Sequence, residues 1–167
     1  MIESFSVVSK NGFKRSPSVF PPDIPKMDFF KPEYQRTHYS WESKGEIYTR
    51  SCDPIETCSM ELTLNKKYLV VLQSPQKYGS DNLLVLNEDG TENRRLINPY
   101  RLSQEYQDGD EFEFQDMQNM RGKLLVKIAV TRELPGKAYK AEPVYVTFYD
   151  CDTWESSPLE FIDSRNL

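Results

Sequence analysis

A chain of 167 residues with 26 acidic and 21 basic side chains carries a formal net charge of −5. That balance speaks against a nucleic-acid binder, which needs a positive face to displace phosphate counterions, and it leaves room for a basic protein partner. The length suits one domain over 1–167, and ten Tyr and nine Phe supply large buried area despite a hydrophobic fraction of 38%.

No run of 18 apolar residues occurs, so no membrane span is expected. Met1-Ile2-Glu3-Ser4-Phe5 lacks the basic start and apolar run of a secretory signal. Cys52, Cys58 and Cys151 form an odd set in a chain too large to depend on staples, which points to three reduced thiols and a cytoplasmic setting. A Cys52–Cys58 disulfide is the alternative, closing only a short loop. Zinc is disfavoured, because Cys-x5-Cys is wider than the usual spacing and His38, the single histidine, completes no ligand set. Seven scattered glycines make no phosphate loop. No metal, cofactor or catalytic residue is assigned.

In chain order, residues 2–8 are expected to form a first strand, with a turn at Asn11-Gly12. Residues 16–32 carry five of the eleven prolines: Pro17, Pro21, Pro22, Pro25 and Pro32. Proline removes donors and fixes φ, so the stretch is neither central strand nor regular helix. The interleaved Phe20, Phe29 and Phe30 predict an extended arm held on the surface by its rings, with a mobile linker as the alternative. Tyr34, His38 and Trp41 fall at offsets of four and three, which predicts a short helix over 33–42. His38 then lies on an aromatic face rather than acting as a base. Residues 44–50 show no clear strand.

From residue 60 the strand pattern is continuous, with strands expected at 60–64, 68–72, 83–86, 94–97, 110–114, 124–131, 144–149 and 159–162. Residues 81–96 read as a β-hairpin. The apolar run 83–86 meets Asn87-Glu88-Asp89-Gly90, and Gly90 takes the positive φ that a type I turn with a bulge requires. A calcium loop is excluded, since Val85 occupies a place where an oxygen ligand belongs. No repeat indicates a propeller or solenoid. The expected class is mainly β (α+β): an antiparallel meander or sandwich with one or two short helices and a proline-rich N-terminal arm.

Charge is unevenly placed. Residues 103–116 hold six acids (Glu105, Asp108, Asp110, Glu111, Glu113, Asp116) and no Lys or Arg, and residues 150–167 hold five acids against Arg165. Tyr100, Tyr106, Tyr149 and Trp154 stand beside them as candidate exposed rings. Aromatic anchors with steering carboxylates suit a protein-binding face, and the candidate contacts are Asp108, Asp110, Glu111, Asp150, Asp152, Trp154 and Glu155. Acids that merely blunt sheet edges are the plain alternative.

The block 82–96, the long strand 124–131 and the ending Tyr145-Val-Thr-Phe-Tyr-Asp-Cys-Asp-Thr-Trp154 together resemble small, acidic, β-rich bacterial immunity proteins, which neutralise the toxins of neighbouring cells. The likeness covers the second half of the chain and rests on layout, so it transfers no residue role. It implies a non-enzymatic inhibitor that occludes the active site of a basic toxin. Two other readings compete. One is a hydrolase using paired carboxylates among Asp110, Glu111, Asp150 and Asp152. The other is a structural or assembly protein of a virus whose arm reaches a neighbouring subunit.

Overall fold

Leu69-Val70-Val71-Leu72 and Leu83-Leu84-Val85-Leu86 are apolar at every position, whereas an antiparallel strand with one wet face alternates. The computed structural model, which describes residues 1–17 and 31–162, shows why: both runs lie in a sheet covered on both faces.

Three antiparallel sheets follow one another along the chain. The first comprises β1 (Ile2–Ser9), β2 (Lys14–Arg15), β3 (Arg36–Ser43) and β4 (Glu46–Ser51), in the order β2-β1-β3-β4. The second is the meander β5 (Ser59–Leu62), β6 (Leu69–Leu72), β7 (Leu83–Leu86) and β8 (Glu92–Leu96), with the one-turn helix α1 (Pro75–Tyr78) between β6 and β7. The third sets β9 (Glu111–Met120), β10 (Lys123–Glu133), β12 (Val144–Tyr149) and β13 (Glu160–Ile162) side by side, and the short β11 (Lys140–Ala141) pairs with the far end of β10.

The second sheet is the middle layer. Leu69, Val71, Leu84 and Leu86 pack with Ile2, Val7, Tyr39 and Trp41 of the first sheet. Val70, Leu83, Val85 and Leu96 pack on the other side with Phe114, Leu124, Val126, Ile128 and Tyr145 of the third. Each fully buried Leu or Val contributes roughly 1.5–3 kcal/mol, so β6 and β7 hold two cores together at once. Strand β10 turns Leu124, Val126, Ile128 and Val130 inward and leaves Leu125, Lys127 and Thr131 half-exposed, the alternation of a sheet with one covered face.

The expected mainly β, antiparallel class stands, with α1 and two 3-10 turns as its helical content among the described residues. Strand positions from residue 60 onward agree closely, although β9 runs on to Met120. The proline-rich arm lies outside the described residues except for its ends.

The short helix expected over 33–42 is wrong. A 3-10 turn at Pro32–Tyr34 is followed directly by β3, where Tyr39 and Trp41 point into the core while His38 and Ser40 lie half-exposed on the other face. The four-and-three spacing of Tyr34, His38 and Trp41 was a coincidence of period, and Thr, Tyr and Trp favour the pleat. Strand β4, unread in the sequence, is joined to β3 by Lys44-Gly45 with φ of 53° and 76°. Positive φ at both central residues makes it a type I′ hairpin, whose twist matches the flanking strands. Arg121-Gly122 repeats the device between β9 and β10.

The β7–β8 hairpin forms as expected, with Gly90 at φ 83°, a register shift after Val85 and Asn87 N–H donating to Thr91 O at 2.8 Å. Its tip is tied to the first sheet, for Trp41 Nε1–H donates to Glu88 O at 2.8 Å. A Cβ on Gly90 would meet Trp41 Cζ2 at 3.2 Å. Gly90→Val therefore adds backbone strain to a contact that Trp41 must yield to, and the melt should report a loss of about 1–3 kcal/mol. An unchanged melting temperature would refute this account of the turn.

Candidate functional site

Segment 97–110 leaves β8, is tied by Asn98 to Ser80 and Asp81 before β7, and lays Tyr100 against Phe112 and Tyr145 of the third sheet. Asn98 starts it by accepting from Tyr100 N–H at 3.1 Å, and a 3-10 turn over Pro99–Leu102 follows. Tyr100 is fully buried, with ring centroids 5.0 Å from Phe112, 5.4 Å from Tyr145 and 6.0 Å from Tyr106. Its hydroxyl donates to Asp110 Oδ2 at 2.7 Å. Arg132 on β10 donates to both oxygens of Asp110, each at 2.9 Å, and to Glu105 O at 3.0 Å. Gln107 N–H adds a bond to Asp110 Oδ2 at 3.0 Å. The Arg132 guanidinium holds the Asp110 carboxyl down at about 2 despite burial. Asp110 is thus the structural clamp of this loop.

The other acids of the segment stay in solvent. Glu105, Asp108 and Glu111 are exposed, and Glu105 Oε2 accepts weakly from Tyr145 O–H at 3.5 Å. A cleft of about 460 Å³ opens between the α1 turn and the start of β9, lined by Glu111, Glu113, Arg101 and Phe112 among others. Burial alone pushes the Glu113 carboxyl up.

The second acidic group lies elsewhere. Glu111 pairs with Thr131, whereas Asp150 follows Tyr149, the partner of Leu124. Seven residue steps of β10 separate those positions, roughly 24 Å. Asp150 Oδ1 accepts from the backbone N–H of Asp152 and Thr153, at 2.8 and 3.1 Å, and so closes its own turn. Asp152 reaches the second sheet, accepting from Asn65 Nδ2 at 3.0 Å and pairing with Lys67 at 3.5 Å. Glu155 is exposed. The acids expected to make one face are therefore divided between two ends of a sheet, and the Asp110–Glu111 and Asp150–Asp152 pairs do not converge on a common cleft.

The expected exposed rings are mostly core. Trp154 is 7% exposed, stands edge-on to Tyr68 at 5.6 Å and holds φ at 60°. Tyr100 and Tyr149 are buried too. Large apolar side chains that do reach solvent are spread over the surface and include Leu102, Ile47, Ile97, Met1, Phe161 and Tyr139, at 86%, 73%, 72%, 68%, 66% and 65% exposure. Phe161 packs edge-on to Tyr145 at 5.7 Å, and Ile97 O lies 3.4 Å from Tyr149 O–H. Strand pattern marked 159–162 correctly as β but carried no sign that β13 is an edge strand.

The three cysteines are free thiols, and burial raises each above its ordinary pKa. His38 Nδ1 sits 2.9 Å from the Thr37 hydroxyl on a half-exposed face. No group of three His, Cys, Asp or Glu side chains that could hold a metal occurs among the described residues.

No family model matches the chain, and no curated protein matches it in sequence. Among solved structures, a chain of "Structure of Tne2 in complex with Tni2" matches with a TM-score of 0.58 and 10% identity, over 98% of this chain and 100% of that one. At that identity the two chains share a fold, and the fold is one found in a complex of two proteins.

Proposed function

We propose that this chain is a non-enzymatic protein-binding module of the immunity or inhibitor kind, which covers the active site of a basic partner, a toxin domain in the reading we favour. The observation that carries it is the corner built by segment 97–111: a rigid aromatic base, locked by Asp110 and Arg132, presents Glu105, Asp108 and Glu111 to solvent. Exposed carboxylates gathered on a hydrogen-bonded base steer a cationic surface toward it. The layout resemblance to immunity proteins and the fold shared with a member of the Tne2–Tni2 complex support the same reading. A cytoplasmic setting fits the free thiols.

The test is co-expression with the product of the adjacent reading frame, followed by mass photometry. A tight one-to-one complex that silences the partner's activity supports the proposal, and a chain that stays monomeric beside that product defeats it. Charge reversal at Asp108 and Glu111, the two free members of the expected set at this corner, should slow association about 10-fold and leave dissociation nearly unchanged. Added salt should act in the same direction on the unaltered chain, since screening sets in over about 10 Å at 0.1 M. Stopped-flow kinetics with both rates intact after the double reversal would place the interface elsewhere.

A further inference from the structure

Strand β12 is buried like a strand covered on both sides, yet only one of its faces meets a core. Five of its six residues are buried, the near-continuous pattern of β6 and β7. Tyr145 and Tyr149 pack into the core shared with the second sheet. Val144 and Val146, at 8% and 4% exposure, belong to neither core. They stand on the outer face of the third sheet, the side away from the second, and strand register gives their neighbours. One row across that face runs Glu113, Ala129, Val144, Ile162, and the next runs Asp116, Lys127, Val146, Glu160. Leu125 and Phe148 pair in the row beyond, beside Gln118. Ala129, Leu125, Phe148 and Ile162 are half-exposed around the two valines. A cavity of about 320 Å³ opens among Asp116, Gln118, Leu125, Lys127 and Val146. Further along the same two strands, the cleft of about 460 Å³ takes in Glu111, Glu113, Ala129 and Thr131. The more exposed Leu102, Ile47 and Tyr139 lie on separate elements, and scattered exposure of that kind is ordinary. A contiguous apolar face rimmed by polar groups is an interaction surface.

The rim here is acidic on both sides, with Glu111, Glu113 and Asp116 along β9 and Glu160 on β13. Against them stand Lys127, opposite Asp116 in the register, and Lys123 at one end, while Glu133 and Lys140 at the other end pair with each other at 3.6 Å. Burial pushes the Glu113 carboxyl up and no cation among the described residues pairs with it, so a cation docked on this face offsets that cost.

We propose that the outer face of the third sheet is a docking surface, covered in the complex by a partner protein that sets apolar side chains on Leu125, Val144 and Val146 and Lys or Arg against Glu111, Glu113 and Asp116. This rests on the reading of the chain as a binding module and names the surface that holds the partner once exposed acids have steered it, with Glu111 common to both. Charge selects that occupant. A second copy of this chain would oppose two faces that each carry four acids against two lysines. Residues 18–30 carry Asp23 and Asp28 against Lys26, and residues 163–167 carry Asp163 against Arg165, so neither segment brings net positive side-chain charge.

The full chain, labelled at the methyl groups of Ile, Leu and Val, is titrated with the peptide acetyl-Lys-Leu-Lys-Leu-Lys-amide and, separately, with its counterpart carrying glutamate for lysine. The expected result is a saturable shift at Leu125, Val144, Val146 and Ile162 with the cationic peptide alone. Ile47 and Leu102, which are more exposed, should stay still and serve as controls. Leu125→Thr, which suits the pleat, should weaken that binding about 5-fold with the melt unchanged. Glu113→Gln combined with Asp116→Asn keeps the shape of the face, should also weaken binding about 5-fold, and decides the matter if Leu125→Thr lowers the melt. Any of these results overturns the proposal: no saturable shift on this face, an equal response at Ile47 and Leu102, an equal response to the acidic peptide, or binding indifferent to both variants. So does a response seen only after residues 18–30 or 163–167 are deleted, or a concentration-dependent dimer that Leu125→Thr abolishes. The complex with the gene neighbour separates this proposal from the functional one. If it forms and neither variant weakens it, the docking face is wrong and the binding module stands. If the peptide binds as expected but no complex forms, the face stands and the immunity reading falls.

Discussion

Replacement of Asn82 by leucine should destabilise the fold by about 3 kcal/mol or more, the largest expected effect of any single side chain in the middle layer. Asn82 is fully buried just before β7, and its amide acts as a substitute strand. Nδ2 donates to Gln73 O at 2.9 Å and to Phe114 O at 2.8 Å, while Oδ1 accepts from Phe114 N–H at 2.9 Å. Phe114 belongs to β9 in the third sheet, so one side chain closes the seam between two sheets and satisfies the backbone where β9 bulges. Leucine has similar bulk but leaves three backbone groups without that partner, each worth about 1–3 kcal/mol when buried. Asn82→Asp is the sharper control. The new carboxylate keeps the bond from Phe114 N–H but turns an oxygen toward two carbonyls, so its pKa is raised in the folded state. A group of that kind is destabilising above its unfolded pKa and recovers as pH falls, so the Asn82→Asp variant should gain stability from pH 7 to pH 4. Urea unfolding that finds either variant within about 0.5 kcal/mol of the parent, a margin of about twofold in equilibrium, would mean that water replaces the amide freely.

Asn82 also marks where sequence reading stops. Apolar runs, alternation and turn residues located β6, β7 and β12 to within one residue and β8 and β10 to within two, because burial and alternation act locally on each strand. The continuous apolar runs of β6 and β7 were legible as strands, yet the cause of their continuity, a cover on both faces, depends on sheets contributed by residues far away in the chain. Strand β3 was misread for a related reason. Tyr34, His38 and Trp41 are too few to fix a period, since in the strand the offset of three puts His38 and Trp41 on opposite faces, and the Lys44-Gly45 turn that ends β3 shows its positive φ only in three dimensions.

The candidate site was legible in composition and not in placement. Asp108 and Glu111 are free and exposed as expected, whereas Asp110, one residue from Glu111, is buried beneath an arginine 22 residues away. Alternation along a strand that begins at Glu111 gives no warning of this, because Asp110 belongs to the loop that Arg132 closes. Trp154 fails as an exposed anchor for a similar reason: the turn made by Asp150 folds its ring back onto Tyr68. Whether a charged or aromatic side chain meets a partner or the core is set by tertiary pairing, and one sequence carries little of that information.

Breaking the Asp110–Arg132 pair should show the sign of its coupling as well as its size. The Asp110 side chain is 1% exposed and that of Arg132 is 21% exposed. In the intact chain the carboxyl is held at about 2 against an ordinary value of 3.8. A depressed folded pKa gives stability that is fully present above the unfolded value and is lost as pH falls from about 4 toward 2, here ~2 kcal/mol from the shift. Asp110→Asn removes the charge and leaves the guanidinium and the Tyr100 hydroxyl short of an acceptor, which should cost about 3 kcal/mol at pH 7 and remove that acid-limb slope. Arg132→Met should behave in the opposite way with pH. Without its cation the buried carboxyl rises above its unfolded value, so this variant should grow more stable from pH 7 to pH 4 while the parent does not. Two unfolding curves, measured by urea at both pH values, decide the matter, and parallel behaviour of parent and Arg132→Met would show that the pair is not the clamp. The consequence for function follows from geometry. Arg132 also donates to Glu105 O, and Tyr100, Glu105, Asp108 and Leu102 all ride on the segment that Asp110 fastens. Loosening it should therefore raise the ordering cost of any partner docked at that corner, so Asp110→Asn should weaken binding through dissociation even though its own carboxylate never meets the partner.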